Sequence, residues 1–208
     1  MSETQELQLV GNQGAFGLPA SFEHAQRVAK MLSSSSLIPK DYQGNIQNTM
    51  IALELAFRLG VSPLLVMQNL YIIQGKPSWS STFIIAAINS CGKFSPLMFD
   101  VSGEGMQRGC IAHCKDLGTD TRVESPRITM QMATDEGWVS KPGSKWKTMP
   151  ELMIRYRAAA FFGRLYCPEI MMGMQTVEEN KDIAPIIQDQ KEVSRVAEID
   201  RATQMIEA

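Results

Sequence analysis

The chain has 208 residues, 44% of them hydrophobic, and a formal net charge of −2. That is long enough and apolar enough for one full domain with a real core plus tails, and the near-neutral total carries no nucleic-acid signal. The cysteines (Cys91, Cys110, Cys114, Cys167) lack disulfide-scaffold density, and no apolar run approaches the roughly 18 residues of a membrane span.

The start, MSETQELQ, has neither the basic nor the apolar region of a secretory signal, so a reducing cytoplasm is the expected compartment. Residues 1–20 are expected to form a flexible arm. Phe22, Ala25, Val28, Ala29 and Leu32 have helical spacing, with Ser21 as N-cap. A serine run and a turn-rich stretch follow. Asn48–Leu59 reads as a second helix with Gly60 at the stop position, and Pro63–Asn69 opens a short third one.

Leu70–Ile73 reads as a strand, Gly75-Lys76-Pro77 as a tight turn, and Trp79 begins the return. Thr82–Cys91 is a buried helix stopped by Gly92. Leu97–Val101, Cys110–Cys114 and Arg122–Val123 predict an antiparallel meander, Ile128–Glu136 a helix and Val139–Thr148 a loop. A long helix then fills most of Met149–Pro168. After Gly173 the chain turns acidic, and frayed helix or disorder is expected through 174–208. The predicted class is α+β: helices packed on a small antiparallel sheet, with 21–173 as the single core domain.

Charge is unevenly spread. Between Trp138 and Tyr166 stand Lys141, Lys145, Lys147, Arg155, Arg157 and Arg164 against Glu151 alone. From Glu178 onward acids dominate, giving a basic segment followed by an acidic tail. In the long helix, at about 100° per residue, Arg157 and Arg164 share one face with Met153 and Ala160. Ile154, Ala158, Phe161 and Leu165 form the expected core stripe. Glu151 offers Arg155 an i,i+4 partner, whereas Arg157 and Arg164 have no local acid and suit phosphate. The loop before the helix interleaves Lys145, Trp146 and Lys147, a pattern open to base stacking or to an ordinary surface loop with a core tryptophan. In the Gly75–Phe94 unit, Ser78, Ser80 and Ser81 are candidate caps beside Lys76 and Trp79; a helix N-terminus there attracts phosphate.

Other chemistry is weakly signalled. There is no GxxxxGK[ST] and no GxGxxG after a strand. Cys110-x-x-His113-Cys114 has metal-like spacing, but in a strand His113 faces away from both cysteines. Asp116, Asp120 and Glu124 read as solvated turn acids rather than a two-metal nuclease cluster. Met149, Met153, Met171, Met172 and Met174 read as core filler or a self-association surface. No catalytic residues, metal ligands or cofactor are expected.

In order, ALELAFRLGVSP, NLYIIQGKPSWSSTFIIAAINSCGKFSPL, a variable hairpin region and KWKTMPELMIRYRAAAFFGRLYCPEI resemble the RecT family of phage-type single-strand annealing proteins. The resemblance runs roughly from Asn48 to Gly173. It rests on a Leu-Gly-aliphatic-x-Pro turn (Arg58–Pro63), a strand–turn–apolar helix ending in glycine (Leu70–Gly92), and a tryptophan before a basic helix that ends near a proline (Trp146–Pro168). It implies an ATP-independent protein in a bacterial or phage-infected cell that binds single-stranded DNA, assembles as a homo-oligomer or filament, and anneals a complementary strand. A phage 5′→3′ exonuclease and a host single-strand binding protein are the implied partners, with magnesium entering only through the DNA. The expected DNA-binding set is Lys76, Ser78, Trp79, Lys145, Trp146, Lys147, Arg155, Arg157 and Arg164. A protein–protein adaptor or inhibitor with an acidic tail is the alternative expectation, and a metal-dependent nuclease a more distant one.

Overall fold

The structure is a computed structural model and describes residues 14–73 and 75–183. It is mixed α+β, with helices packed on two small sheets. The expected arm at 1–13 and the tail at 184–208 lie outside the described residues.

Helix α1 (Pro19–Ser33) begins before the predicted Ser21 cap, because Pro19 sits in its first turn, where a missing N–H is harmless. Ser21 is instead buried within the helix, and its hydroxyl has no hydrogen-bond partner among the described residues. Phe22 faces solvent, while Ala25 and Ala29 pack against Met50. Helix α2 (Ile46–Leu59) starts two residues before the predicted Asn48, because the Asn45 side chain accepts the Asn48 amide at 2.9 Å. It ends at Gly60, whose φ of +65° closes the helix by returning its amide to the last turn.

Helix α3 (Pro63–Asn69) leads into the hairpin of β1 (Leu70–Ile73) and β2 (Lys76–Trp79), paired Leu70 to Trp79 and Ile73 to Lys76. Helix α4 (Ser81–Ser90) follows, capped by Ser80, whose Oγ accepts the Phe83 amide at 3.1 Å. The second sheet is the expected meander: β3 (Met98–Ser102), β4 (Gly109–Lys115) and β5 (Arg122–Glu124), with β6 (Ile128–Thr129) added against β4. The predicted Ile128–Glu136 helix is therefore shorter. Ile128 is spent on pairing with Cys110, and α5 (Met130–Asp135) starts only where the Thr129 hydroxyl caps the Met132 amide. The predicted Val139–Thr148 loop also contains a single turn, α6 (Lys145–Thr148), capped by Ser144.

The long helix α7 (Pro150–Tyr166) packs on β4 on one side and α4 on another. Its Ala158-Ala159-Ala160 run and Gly163 allow that double contact. A Cβ at Gly163 would meet Met171 Sδ at 3.0 Å and Ile84 at 3.4 Å. The helix is thus central rather than amphipathic. The stripe of Ile154 and Ala158 is buried as expected, but Leu165 is 56% exposed, and the Met153–Arg157–Ala160 face is buried too. After α8 (Pro168–Met171), β7 (Gln175–Thr176) pairs in parallel with β2, aligning Ser78 with Gln175 and Trp79 with Thr176. Helix α9 (Val177–Ile183) then lies against β1 and β2. The expected fraying after Gly173 fails for residues 174–183, which form a strand and a helix with buried Glu179, Asn180 and Asp182. No single helix among the described residues is long and apolar enough to cross a membrane.

Candidate nucleic-acid interface

The two arginines assigned to phosphate are held by acids of their own chain. The Arg157 side chain is 4% exposed and in contact with the Asp182 carboxylate. Its guanidinium stacks over the Trp138 ring, 3.8 Å from the centroid, and Glu179 Oε1 lies 3.8 Å away. The Asp182 oxygen that meets Arg157 also accepts the Trp146 indole N–H at 2.8 Å. Arg164, half-exposed at the end of α7, is paired with Glu179. The other oxygen of Glu179 accepts the Thr176 amide at 2.9 Å and its hydroxyl at 3.2 Å. Burial presses the Asp182 carboxyl above the ordinary carboxylate range, against the Trp146 hydrogen bond and the Arg157 charge. Arginine stays protonated in such a setting, so the pair is ionic and closed to an incoming phosphate.

Other members of the expected set are also structural. Trp79 is fully buried and stacks on Phe83, with centroids 4.5 Å apart. Trp146 is 1% exposed, the core tryptophan that the surface-loop reading allowed, and its ring packs on Trp138. Neither ring can stack on a DNA base in this conformation. Ser78 is buried and accepts the Asn180 side-chain amide at 2.7 Å, so the cap beside it is Ser80. Arg155 takes its helical partner as the spacing predicts, with Nη1 2.8 Å from the Glu151 carbonyl and 3.4 Å from its carboxylate.

What remains open is lysine. Lys76, Lys145 and Lys147 are exposed. A cleft of about 460 Å³ lies between the loop at 141–145, the first turns of α7 and helix α9. Lys145 and Lys181 line it, as does Lys141; Ile73 closes it at the hairpin. Lys76 is the cross-strand partner of Ile73. Lys147 stands two residues beyond Lys145 on α6 and so projects from a different side of that turn. Among the described residues, no carboxylate forms an ion pair with Lys76, Lys145, Lys147 or Lys181. Several cations elsewhere have acid partners: Arg58 meets Glu54 at 2.7 Å, Arg108 Glu151 at 2.6 Å, Lys115 Asp120 at 2.6 Å, Arg122 Asp100 at 2.7 Å, and Lys93 Glu169, whereas Arg27, Lys30, Lys40 and Arg127 form no ion pair among the described residues.

Sequence reasoning missed Lys181 and Tyr156, which both line the cleft. The available signal was the i,i+3 pair Glu179 and Asp182, an acidic face matched to the arginine face of α7. That match would have docked α9 and brought Lys181 with it. The Cys110-x-x-His113-Cys114 run behaves as its strand period requires. Both cysteines are buried, and His113 turns outward with Nε2 3.1 Å from Asp100. No family model, curated protein or solved structure matches the chain.

Proposed function

We propose that the chain is an ATP-independent single-stranded DNA-binding and strand-annealing protein that works as an oligomer or filament. The observation that carries this reading is the contrast in cation use. Arg157 and Arg164 are consumed internally, while Lys145 and Lys181 line one cleft and, like the exposed Lys76 and Lys147, have no acid partner among the described residues. The ordered resemblance of Asn48–Gly173 to the RecT family supports it. Annealing needs phosphate neutralisation without a sequence code, and lysines on flexible stems provide that. In this account the lysines hold the backbone of the first strand, neighbouring protomers continue the path, and the complement pairs with the presented bases. The arginines hold α7 to α9 instead of touching DNA.

The adaptor reading drew on the acidic segment after Glu178. Within the described residues those acids turn inward: Glu178 accepts the Ser81 hydroxyl at 2.6 Å, and Glu179 and Asp182 meet the arginines. The test is annealing of complementary labelled oligonucleotides without nucleotide triphosphate. Acceleration over the protein-free rate is expected. No acceleration, with no retention of either strand at low salt, leaves the adaptor reading standing.

A further inference from the structure

The cleft has a second property that phosphate neutralisation does not use: an apolar floor. Met149, just before α7, and Leu152, in its first turn, present exposed side chains to it, beside the half-buried Tyr156 ring. Apolar side chains left in water at the bottom of a concave, cation-rimmed surface fit a ligand with a flat apolar body and an attached anion. A nucleotide has that chemistry. Of the two acids lining the cleft, Asp182 is committed to Arg157 and Trp146, and Glu178 is hydrogen-bonded by Ser81. Lys145 and Lys181 remain to meet the anion.

Resting on the DNA-binding reading above, we propose that this cleft seats one unstacked base of a bound single strand, its flanking phosphates against Lys145 and Lys181. Every base has a π-face for Tyr156 and an edge for the Met149 thioether, so the seat is indifferent to sequence. A base in the cleft is out of Watson–Crick pairing. Duplex formation therefore withdraws it, and the protein prefers single strand to finished duplex.

The experiment compares the full chain binding a single-stranded oligodeoxynucleotide, a matched oligonucleotide with abasic sites throughout, and the corresponding duplex. The abasic strand keeps every phosphate. Loss of base stacking is expected to weaken its binding roughly five- to hundredfold while leaving the salt dependence unchanged. Tyr156→Ala, and independently Leu152→Glu on the apolar floor, are expected to erase the difference between the two strands. Equal binding of natural and abasic strands overturns the seat and leaves the annealing function intact. A difference that survives in both variants places the base contact elsewhere and overturns the cleft assignment. No binding of any probe at low salt overturns the functional reading and the seat together.

Discussion

The Arg157 guanidinium and the Asp182 carboxylate face each other in the interior, and the same Asp182 oxygen receives the Trp146 indole hydrogen. One buried acid thus ties the central helix, the tryptophan loop and the last described helix together. Removing either charge takes the nearest counter-charge from the other in a low-dielectric site, leaving Arg157 only the more distant Glu179 or Asp182 only the Trp146 N–H. Arg157→Ala and Asp182→Ala are each expected to lower unfolding free energy by about 3–5 kcal/mol, read from urea titrations. Arg157→Met combined with Asp182→Leu is expected to recover much of that loss, since it removes both desolvation penalties.

The segment after Gly173 belongs to the folded body. The Asn180 amide reaches Ser78 across the strand pair of β2 and β7. Ser78→Ala leaves that amide buried without an acceptor, and a loss of about 1–3 kcal/mol is expected. A double-mutant cycle with Asn180→Ala measures the coupling; additivity within about 0.3–0.5 kcal/mol would mean the two side chains do not interact.

Thiol chemistry reads the core directly. Burial pushes Cys167 up to about 12, and Cys110 and Cys114 up to about 11. Cys91 is the one cysteine of intermediate exposure. With an alkylating reagent at pH 8, native protein is expected to label quickly at Cys91 alone, and unfolded protein at all four cysteines. Mass spectrometry of the labelled peptides checks this, and rapid native labelling at Cys110 would contradict the packing of β4 against α7.

Acid sensitivity follows from paired carboxylates. Asp100 is held low by Arg122, Asp116 by the Thr119 amide, Glu151 by Arg108 and Glu169 by Lys93. A depressed folded pKa means stability that is present above the unfolded value, about 4, and lost as pH falls through the folded one. These groups are exposed, so salt screens the effect. Tm is expected to hold steady from pH 7 to about 5 and to fall below about 4.

Local signals carried much of the fold into the sequence. Asn45 and Gly60 bracket α2, Ser80 caps α4, and the alternating burial of Cys110, Ala112 and Cys114 marks a half-buried strand. The failures share one cause. Met153, Arg157 and Ala160 looked like an outward basic face because no acid lies near them in sequence; their partner helix begins twenty residues after Arg157. A helix buried on more than one side has no single apolar stripe, so Leu165 was misplaced by the same reasoning. Of the expected lysines, Lys145 lines the cleft. Lys76, Lys145 and Lys147 are exposed, while Trp79 and Trp146 went to the core.

The central claim is that Lys76, Lys145, Lys147 and Lys181 neutralise the phosphates of a single strand. The direct measurement is the salt dependence of oligonucleotide affinity for the wild-type chain and for the four lysine→glutamine variants, singly and combined. Each lost phosphate contact is expected to reduce the log–log slope by about 0.7, with stability unchanged to within about 0.5 kcal/mol because all four side chains are exposed. A combined variant that keeps the wild-type affinity and slope would contradict the account.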